Sequence, residues 1–378
     1  MEPESMPPAA YPETSLAPEA ALMPEAHAPD AEEYRGLRWA FIGSQGLRAG
    51  WSVTLFLFLT VFFMAVLQTA AMTWVRHIPV GDMNNLLPQS ALLSELTQFP
   101  ALLAAMAILA LIEGRSIFDY NLAGPRRIQH FVGGLAAGFV ALSALVAAMA
   151  WGGWLHFGPV ALSGTRIFSY AAVWGAVFLL TGLFEEGGFR CYLQFTLTRG
   201  VNFWWALALV AATCLVSSLA VAGQGVRGVY CVALLGLLPC LLLHIKKTPR
   251  TAFWQAAWVT STFFGAIHLS NGGENWIGIF CAGAIGFVFC VSVRLTGSAW
   301  WAIGCHSAWD WAETYFYGTA NSGLVAQGHY LSASPSGNAL WSGGADGPEG
   351  SLLVFGVLLL LLAALVVLYG RRKPATAS

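Results

Sequence analysis

Long apolar segments separated by short polar ones make up this chain from residue 51 almost to its end. A hydrocarbon core of about 30 Å is crossed by roughly 20 apolar residues in a helix. The pattern predicts ten membrane-spanning helices, at residues 51–72, 92–112, 131–155, 168–198, 203–222, 229–245, 251–270, 275–294, 296–317 and 351–370. The predicted fold class is therefore all-α, a polytopic membrane helical bundle.

Composition supports a membrane protein and excludes a nucleic-acid-binding protein. Of 378 residues, 57% are hydrophobic and only 10% are charged, whereas soluble domains carry about 25% charged residues. So few charges cannot cover a surface that faces water. The net charge is −1, with no basic tract interleaved with aromatic residues, so no nucleic-acid partner is expected. Membrane lipids are the expected surroundings.

The two ends differ from the apolar body. Residues 1–33 are rich in Asp, Glu and Pro and contain no Lys or Arg, the opposite of a secretory signal peptide. This composition predicts a disordered acidic tail over residues 1–45. The transmembrane domain is predicted over 46–370 and a basic cytoplasmic tail over 371–378. The seven cysteines all fall in apolar windows, which is typical of packing residues and not of disulfides.

The basic residues predict an orientation. If the N-terminus is cytoplasmic, the 18 Lys and Arg residues fall in inside segments, except Arg190 within a span and Arg76, Arg166 and Arg227 outside. Inside loops of membrane proteins carry such an excess. The long segment 318–350 lacks Lys and Arg, as expected outside. We therefore predict a multi-pass protein of the plasma (inner) membrane with both termini in the cytoplasm.

Three predicted spans carry ionisable residues away from their ends. A charge at the centre of a membrane helix costs about 2.5–3.5 kcal/mol on insertion scales, so such residues need partners. At a rise of about 1.5 Å per residue, Glu185, His268 and Asp310 lie at one depth, roughly 21–25 Å from the inner ends of their spans, and His306 lies one turn lower. The agreement predicts one intramembrane polar cavity. The residues are Glu185, Glu186 and Arg190 in the fourth span, His268 in the seventh, and His306, Asp310 and Glu313 in the ninth.

Helical spacing divides this set. Glu186 and Arg190 are four residues apart, so they share a face and are predicted to form an ion pair. Glu185 is rotated by about 100° and faces a different space. His306 and Asp310 are also four residues apart, with Glu313 predicted one turn further on the same stripe.

These residue types suit hydrolysis of an amide bond. A glutamate beside a histidine in a dry cavity can bind a water and remove its proton. A second histidine with a neighbouring carboxylate can donate hydrogen bonds to an oxyanion. Structural interpretations stay open: His268 in an interhelical hydrogen bond, and His306 with Asp310 as a polar clamp. Neither an H-E-x-x-H zinc motif nor a G-x-S-x-G nucleophile elbow occurs.

In their order and spacing, three motifs resemble those of the CAAX prenyl endopeptidase (Rce1-like) and bacteriocin-processing family, also called CPBP or Abi proteins. The resemblance covers roughly residues 168–317. The motifs are Glu185-Glu186-x-x-x-Arg190, Phe264-x-x-x-His268 and His306-x-x-x-Asp310.

The resemblance implies catalytic roles for four residues. Glu185 and His268 would activate the water, while His306 and Asp310 would form the oxyanion and substrate-orienting side. Cys191 stands where relatives usually have Gly, and Asp310 stands where many relatives have Asn. An ionised aspartate opposes an oxyanion, so Asp310 is expected to be protonated or paired with His306. About fifty additional residues, enough for two spans at 203–245, separate the first two motifs.

The sequence thus predicts an intramembrane CAAX-type endopeptidase that needs no cofactor and acts on a membrane-bound protein or peptide. Zinc is a minor alternative, with Glu185, His268, His306 and Asp310 as its ligands. Two other functions stay open. One is a non-enzymatic immunity or membrane-binding factor of the same fold; the other is an ion-coupled transporter, which the absence of visible internal repeats disfavours.

Overall fold

The computed structural model describes residues 41–43, 46–75, 86–220, 226–248 and 250–370. The chain divides into two compact units, Met1–Arg48 and Ala49–Ser378. In the first, strands β1 (Ile42–Gly43) and β2 (Gly46–Leu47) pair antiparallel. The predicted acidic tail up to residue 40 and the predicted basic tail at 371–378 lie outside the described residues.

The second unit is helical. The first six of its helices are α1 (Ala49–Trp74), α2 (Pro88–Glu113), α3 (Arg127–Trp151), α4 (Thr165–Glu186), α5 (Gln194–Gly200) and α6 (Phe203–Ala220). The rest are α7 (Val226–Lys246), α8 (Thr251–Ile267), α9 (Trp276–Thr296), α10 (Trp300–Trp311), the short α11 (Ala339–Ser342) and α12 (Leu353–Tyr369). A helix lies in each of the ten predicted windows.

Five of the described helical segments are long and apolar enough to cross a membrane. They are α1, α2, α3, α9 and the continuous segment Thr165–Gly200, which contains α4 and α5. Shorter apolar helices occur at Phe203–Ala212, Gly236–Lys246 and Leu353–Tyr369. The chain is an all-α polytopic membrane protein, as predicted. The number of ten spans, the orientation and the particular membrane stay predictions.

Small residues bring α3 and α10 into close contact. A Cβ atom added at Gly134 or Gly138 would overlap a backbone carbonyl of α10, and one added at Gly304 would overlap a carbonyl of α3. Gly134 and Gly138 form the small-xxx-small pattern that lets membrane helices approach closely. This contact fixes the helix that carries His306.

Two π-helical segments interrupt the α-helices beside the ionisable residues. Gly187–Leu193 follows α4 directly after Glu186, and Ala312–Tyr317 follows α10. A π-helix has a wider turn than an α-helix, so it changes the direction of every side chain beyond it. Spacing rules for α-helices therefore hold up to Glu186 and Asp310 but not beyond.

The segment after the second π-helix folds back over the bundle. Strand β4 (Ala333–Pro335) pairs antiparallel with β3 (Leu155–Phe157). Asn275 caps the start of α9 and donates from Nδ2 to the carbonyl oxygens of Gly343 and Gly350, each at 3.3 Å. The backbone N–H of Asn275 donates to Asp346 at 3.0 Å. We call residues 318–350 the roof, because these bonds hold the segment at one end of the helices.

Candidate active site

A cavity of about 300 Å³ lies beneath the roof, between α2, α4, α8, α9 and α10. Glu185, His268, His306 and Asp310, the four residues predicted to be catalytic, all line it. They come from helices far apart in sequence, and the cavity lies at the level where α4 and α8 end. Polar groups within a membrane-spanning bundle face such interiors because lipid cannot solvate them.

Glu186 and Arg190 form an ion pair whose two side chains are fully buried. The two shortest contacts are Arg190 Nε to Glu186 Oε2 at 3.1 Å and Arg190 Nη1 to Glu186 Oε1 at 3.2 Å. The guanidinium also lies 4.4 Å from the centre of the Phe264 ring and 5.3 Å from that of Phe289. Aromatic faces attract the cation, so Arg190 is held on several sides. Gly286 leaves room for it, since a Cβ there would lie 2.5 Å from Nη2.

His306 lies at the centre of the polar network. Its Nδ1 donates to Glu186 Oε1 at 2.9 Å, and its Nε2 lies 3.4 Å from Asp310 Oδ2 and 3.7 Å from Glu185 Oε2. The ring therefore contacts the carboxylate of the ion pair on one side and the cavity carboxyls on the other. Such an arrangement favours hydrogen on both ring nitrogens.

Glu185 faces the cavity and not the ion pair. Its side chain is 24% exposed, whereas that of Glu186 is fully buried. Its Oε2 accepts no hydrogen bond in the described part of the chain, although His306 Nε2 is 3.7 Å away. The two adjacent glutamates thus have separate surroundings: Glu186 is paired with Arg190, whereas Glu185 lines the cavity.

The ring of His268 has a defined tautomer. Its Nδ1 lies 2.7 Å from the carbonyl oxygen of Phe264. A carbonyl can only accept, so Nδ1 carries the hydrogen, and in the neutral ring Nε2 keeps a lone pair. Among the described residues, no direct hydrogen bond joins His268 to Glu185; they share the cavity without touching.

Glu313 does not lie on the stripe of His306 and Asp310. It is the second residue of the π-helix Ala312–Tyr317, and it does not line the cavity. It is fully buried, and neither carboxyl oxygen has a hydrogen-bond partner among the described residues. The wider π turn explains the difference from the α-helical prediction.

Several polar residues of the cavity were not predicted. Glu95 on α2 faces it, and its Oε1 accepts from Gln98 Nε2 at 3.3 Å. The sequence did contain a signal for Glu95, because it is an acidic residue inside a predicted apolar span. No periodic pattern indicated Asn271, Asn321, Ser322 and Glu349, which lie between the long helices.

Glu349 connects the roof to α10. Its carboxyl accepts from Trp309 Nε1 on α10 at 2.8 Å and from Ser322 Oγ at 3.1 Å. Burial raises the pKa of Glu349 to about 7, and that of Asp346 to about 7. Burial also raises the pKa of Glu274, beside them at the start of α9, to about 9. The roof therefore closes over the cavity with carboxyls that bind protons readily.

The geometry does not fit the zinc alternative. The described residues contain no group of three or more His, Cys, Asp or Glu side chains placed to hold a metal ion. No step below involves a metal.

The fold and the cavity define a polytopic membrane protein with a polar site inside its helical bundle. The family model described as type II CAAX prenyl endopeptidase Rce1-like matches residues 240–312. Over residues 240–312 the chain is therefore similar to the Rce1-like family, which confirms the predicted resemblance for that part of the sequence. The matched range contains His268, His306 and Asp310, while the motif with Glu185 precedes it. No curated protein and no solved structure matches the chain.

Proposed function

We propose that the protein is an intramembrane endopeptidase of the CAAX-processing type, which hydrolyses a peptide bond of a membrane-bound protein or peptide. The observation that carries the proposal is the meeting of Glu185, His268 and His306 in one cavity of an Rce1-like bundle. Amide hydrolysis needs an activated water, a group that stabilises the oxyanion and a proton for the leaving amine.

Glu185 and His268 supply the water-activating side. The carboxylate of Glu185 lines the cavity and is not engaged in the Glu186–Arg190 pair, and His268 has its Nδ1 hydrogen fixed by the Phe264 carbonyl. Glu185 accepts a proton from water while His268 Nε2 orients that water by accepting its other hydrogen. The hydroxide oxygen then bonds to the carbonyl carbon of the peptide.

His306 supplies the electrophilic side. Its Nδ1 hydrogen is engaged by Glu186, which fixes the ring and leaves the Nε2 hydrogen for the oxyanion. Asp310 Oδ2 is 3.4 Å from Nε2, a distance longer than a good N–H···O bond. The substrate oxygen therefore takes the place of a weak contact when it binds.

Glu185 both receives the proton of the water and passes it on to the leaving group. The tetrahedral intermediate collapses as its C–N bond breaks, and Glu185 transfers the proton it received to the leaving nitrogen. One water and one amide become a carboxylic acid and an amine, and Glu185 returns to its starting state.

Cleavage in defined liposomes tests the proposal. The purified chain is mixed with a farnesylated peptide ending in a CAAX sequence, or with the same peptide lacking the farnesyl group, and products are identified by mass spectrometry. We expect Glu185→Gln and His268→Ala each to lower kcat by about 10²–10⁴-fold, the usual size of a general-base effect. Gly356→Leu on α12, where an added side chain meets open space, serves as the control.

Two results would overturn the proposal. One is cleavage by the Glu185→Gln, His268→Ala double variant at the wild-type rate. The other is the absence of cleavage by the folded wild-type chain across a library of membrane-bound peptides. A cellular phenotype that persists in the double variant would then favour the non-enzymatic binding factor.

A further inference from the structure

A second groove, unrelated to the cavity, lies on the outside of the bundle between α7, α8 and α9. Its volume is about 630 Å³. The residues that line it are Leu243, Thr248, Arg250, Trp254, Trp258 and Phe287. We call it the arginine–tryptophan groove, because a cation lies at one end and indole rings cover its floor.

The floor of the groove is a continuous aromatic surface. Arg250, Trp254 and Trp258 follow one another at intervals of four residues, so they form one stripe along α8. The Trp258 ring stacks on that of Phe287 of α9, with centroids 4.1 Å apart, and the Trp254 and Phe287 centroids are 5.9 Å apart. These rings are only partly buried, so an apolar chain can lie against them.

One arginine, Arg250, lines the charged end of the groove, and a second, Arg294, lies beside it near Trp254. Arg294 of α9 lies with its guanidinium 5.5 Å from the Phe253 ring centre and 6.0 Å from that of Trp254. Arg250 lines the groove together with Trp254, so both guanidinium groups lie at the Trp254 end of the stripe. No carboxylate forms an ion pair with either in the described part of the chain. Paired guanidinium groups bind a phosphate well, because their planar N–H donors match its oxygens.

The position of this end along the helices identifies the source of the phosphate. Arg250 precedes α8 and His268 follows it, which places them about 27 Å apart along the helix at a rise of about 1.5 Å per residue. Arg294 is in the last turn of α9, which runs in the opposite direction. The arginines therefore lie at the end of the helices remote from the catalytic cavity. Arg and Trp at helix ends are typical of the membrane–water interface.

We propose that the arginine–tryptophan groove binds an anionic diacyl phospholipid. Its phosphate lies between Arg250 and Arg294, and one acyl chain lies along Trp254, Trp258 and Phe287. A zwitterionic lipid has a phosphate too, but its ammonium group opposes the two arginines. The groove therefore selects lipids with net negative charge. This proposal does not depend on the enzymatic one.

Native mass spectrometry of the detergent-purified full chain measures this binding directly. Dioleoyl phosphatidylglycerol and dioleoyl phosphatidylcholine are titrated separately. We expect the wild-type chain to retain phosphatidylglycerol preferentially and the Arg250→Gln, Arg294→Gln variant to bind it about 30-fold more weakly, from the attraction that each basic side chain contributes near an anionic lipid. Arg127→Ala, which removes an exposed cation at the start of α3, should bind like the wild type.

Three further measurements separate the contributions of charge, of the aromatic floor and of the phosphate group alone. Arg250→Lys, Arg294→Lys keeps the charge and should retain more binding than the Gln variant, which also controls for folding. Trp258→Ala should weaken the binding of the diacyl lipid even though both arginines are still present. Equal binding of the two lipids, wild-type binding by the Gln variant, or displacement of the lipid by millimolar inorganic phosphate would each overturn the proposal.

Discussion

His306 Nδ1 donates to Glu186 Oε1 at 2.9 Å, and that same oxygen accepts from Arg190 Nη1 at 3.2 Å. The buried ion pair of α4 therefore extends to the histidine of α10. The sequence indicates only that Glu186 and Arg190 offset the cost of burying each other's charge. The structure gives Glu186 a second contact, with the proposed catalytic residue His306. A residue that orients a histidine acts on the reaction without touching the substrate.

The first prediction concerns this shared carboxylate. Glu186→Gln keeps the shape but leaves Arg190 as a buried charge without a counterion, so we expect a loss of about 3–5 kcal/mol of stability. The rate of cleavage should also fall, because the Nδ1 hydrogen of His306 loses its charged acceptor. Thermal unfolding in detergent and liposome cleavage measure the two effects.

A double variant distinguishes folding from positioning. Glu186→Gln with Arg190→Met removes both charges, so stability should recover toward that of the wild type. The activity should not recover, since His306 still lacks the carboxylate. Recovery of both together would mean that Glu186 matters only for folding.

Asp310 gives the second prediction. Its Oδ2 lies 3.4 Å from His306 Nε2, and its side chain lines the cavity. Asp310→Asn keeps a group that can bond the ring or the substrate, so we expect activity within about tenfold of the wild type. Asp310→Leu leaves the polar cavity without that group and should lower kcat by about 10²–10³-fold, the size seen when one oxyanion donor is lost. Equal activities of the two variants would contradict this role.

The helices and the approximate location of the site could be predicted from the sequence. Apolar windows required for crossing lipid indicated each helix, because a membrane leaves the backbone few other choices. The energetic penalty of a charge in lipid indicated Glu185, His268 and Asp310. Glu186 and Arg190 are four residues apart, and the structure places them together although Arg190 lies in the π-helix Gly187–Leu193.

Features that depend on non-local packing could not be predicted. The π-helix Ala312–Tyr317 moves Glu313 off the predicted stripe, and no spacing rule indicates where an α-helix widens. The roof is a long segment whose contacts with Asn275 and Trp309 join residues far apart in sequence. The second contact of Glu186, to His306, also requires knowing how α4 and α10 face each other.

The third prediction tests the packing of α10. Gly138 faces the α10 backbone so closely that a Cβ would overlap a carbonyl oxygen. Gly138→Val should separate α3 from α10, move His306 and lower both thermal stability and kcat. A small-to-large change at a close contact typically costs about 1–3 kcal/mol. Gly356→Val on α12 adds the same atoms where open space surrounds the glycine, so it should change neither quantity. Similar behaviour of the two variants would contradict the close contact.

The last prediction concerns the roof and pH. Because burial raises the pKa of Glu349 from 4.5 to about 7, the closed roof binds a proton more tightly than an open roof, where the carboxyl meets water. The proton on Glu349 stabilises the closed roof fully below pH 4.5, and this stabilisation is lost as the pH rises from 4.5 through 7. Opening should therefore increase by up to roughly tenfold per pH unit between these values. Hydrogen exchange of residues 318–350 at pH 5 and pH 8, corrected for intrinsic rates, measures it. Glu349→Gln keeps an acceptor for Trp309 and Ser322 but cannot ionise, so its exchange should depend less on pH, with Asp346 and Glu274 supplying the remainder. An unchanged pH dependence in this variant would show that Glu349 does not hold the roof closed.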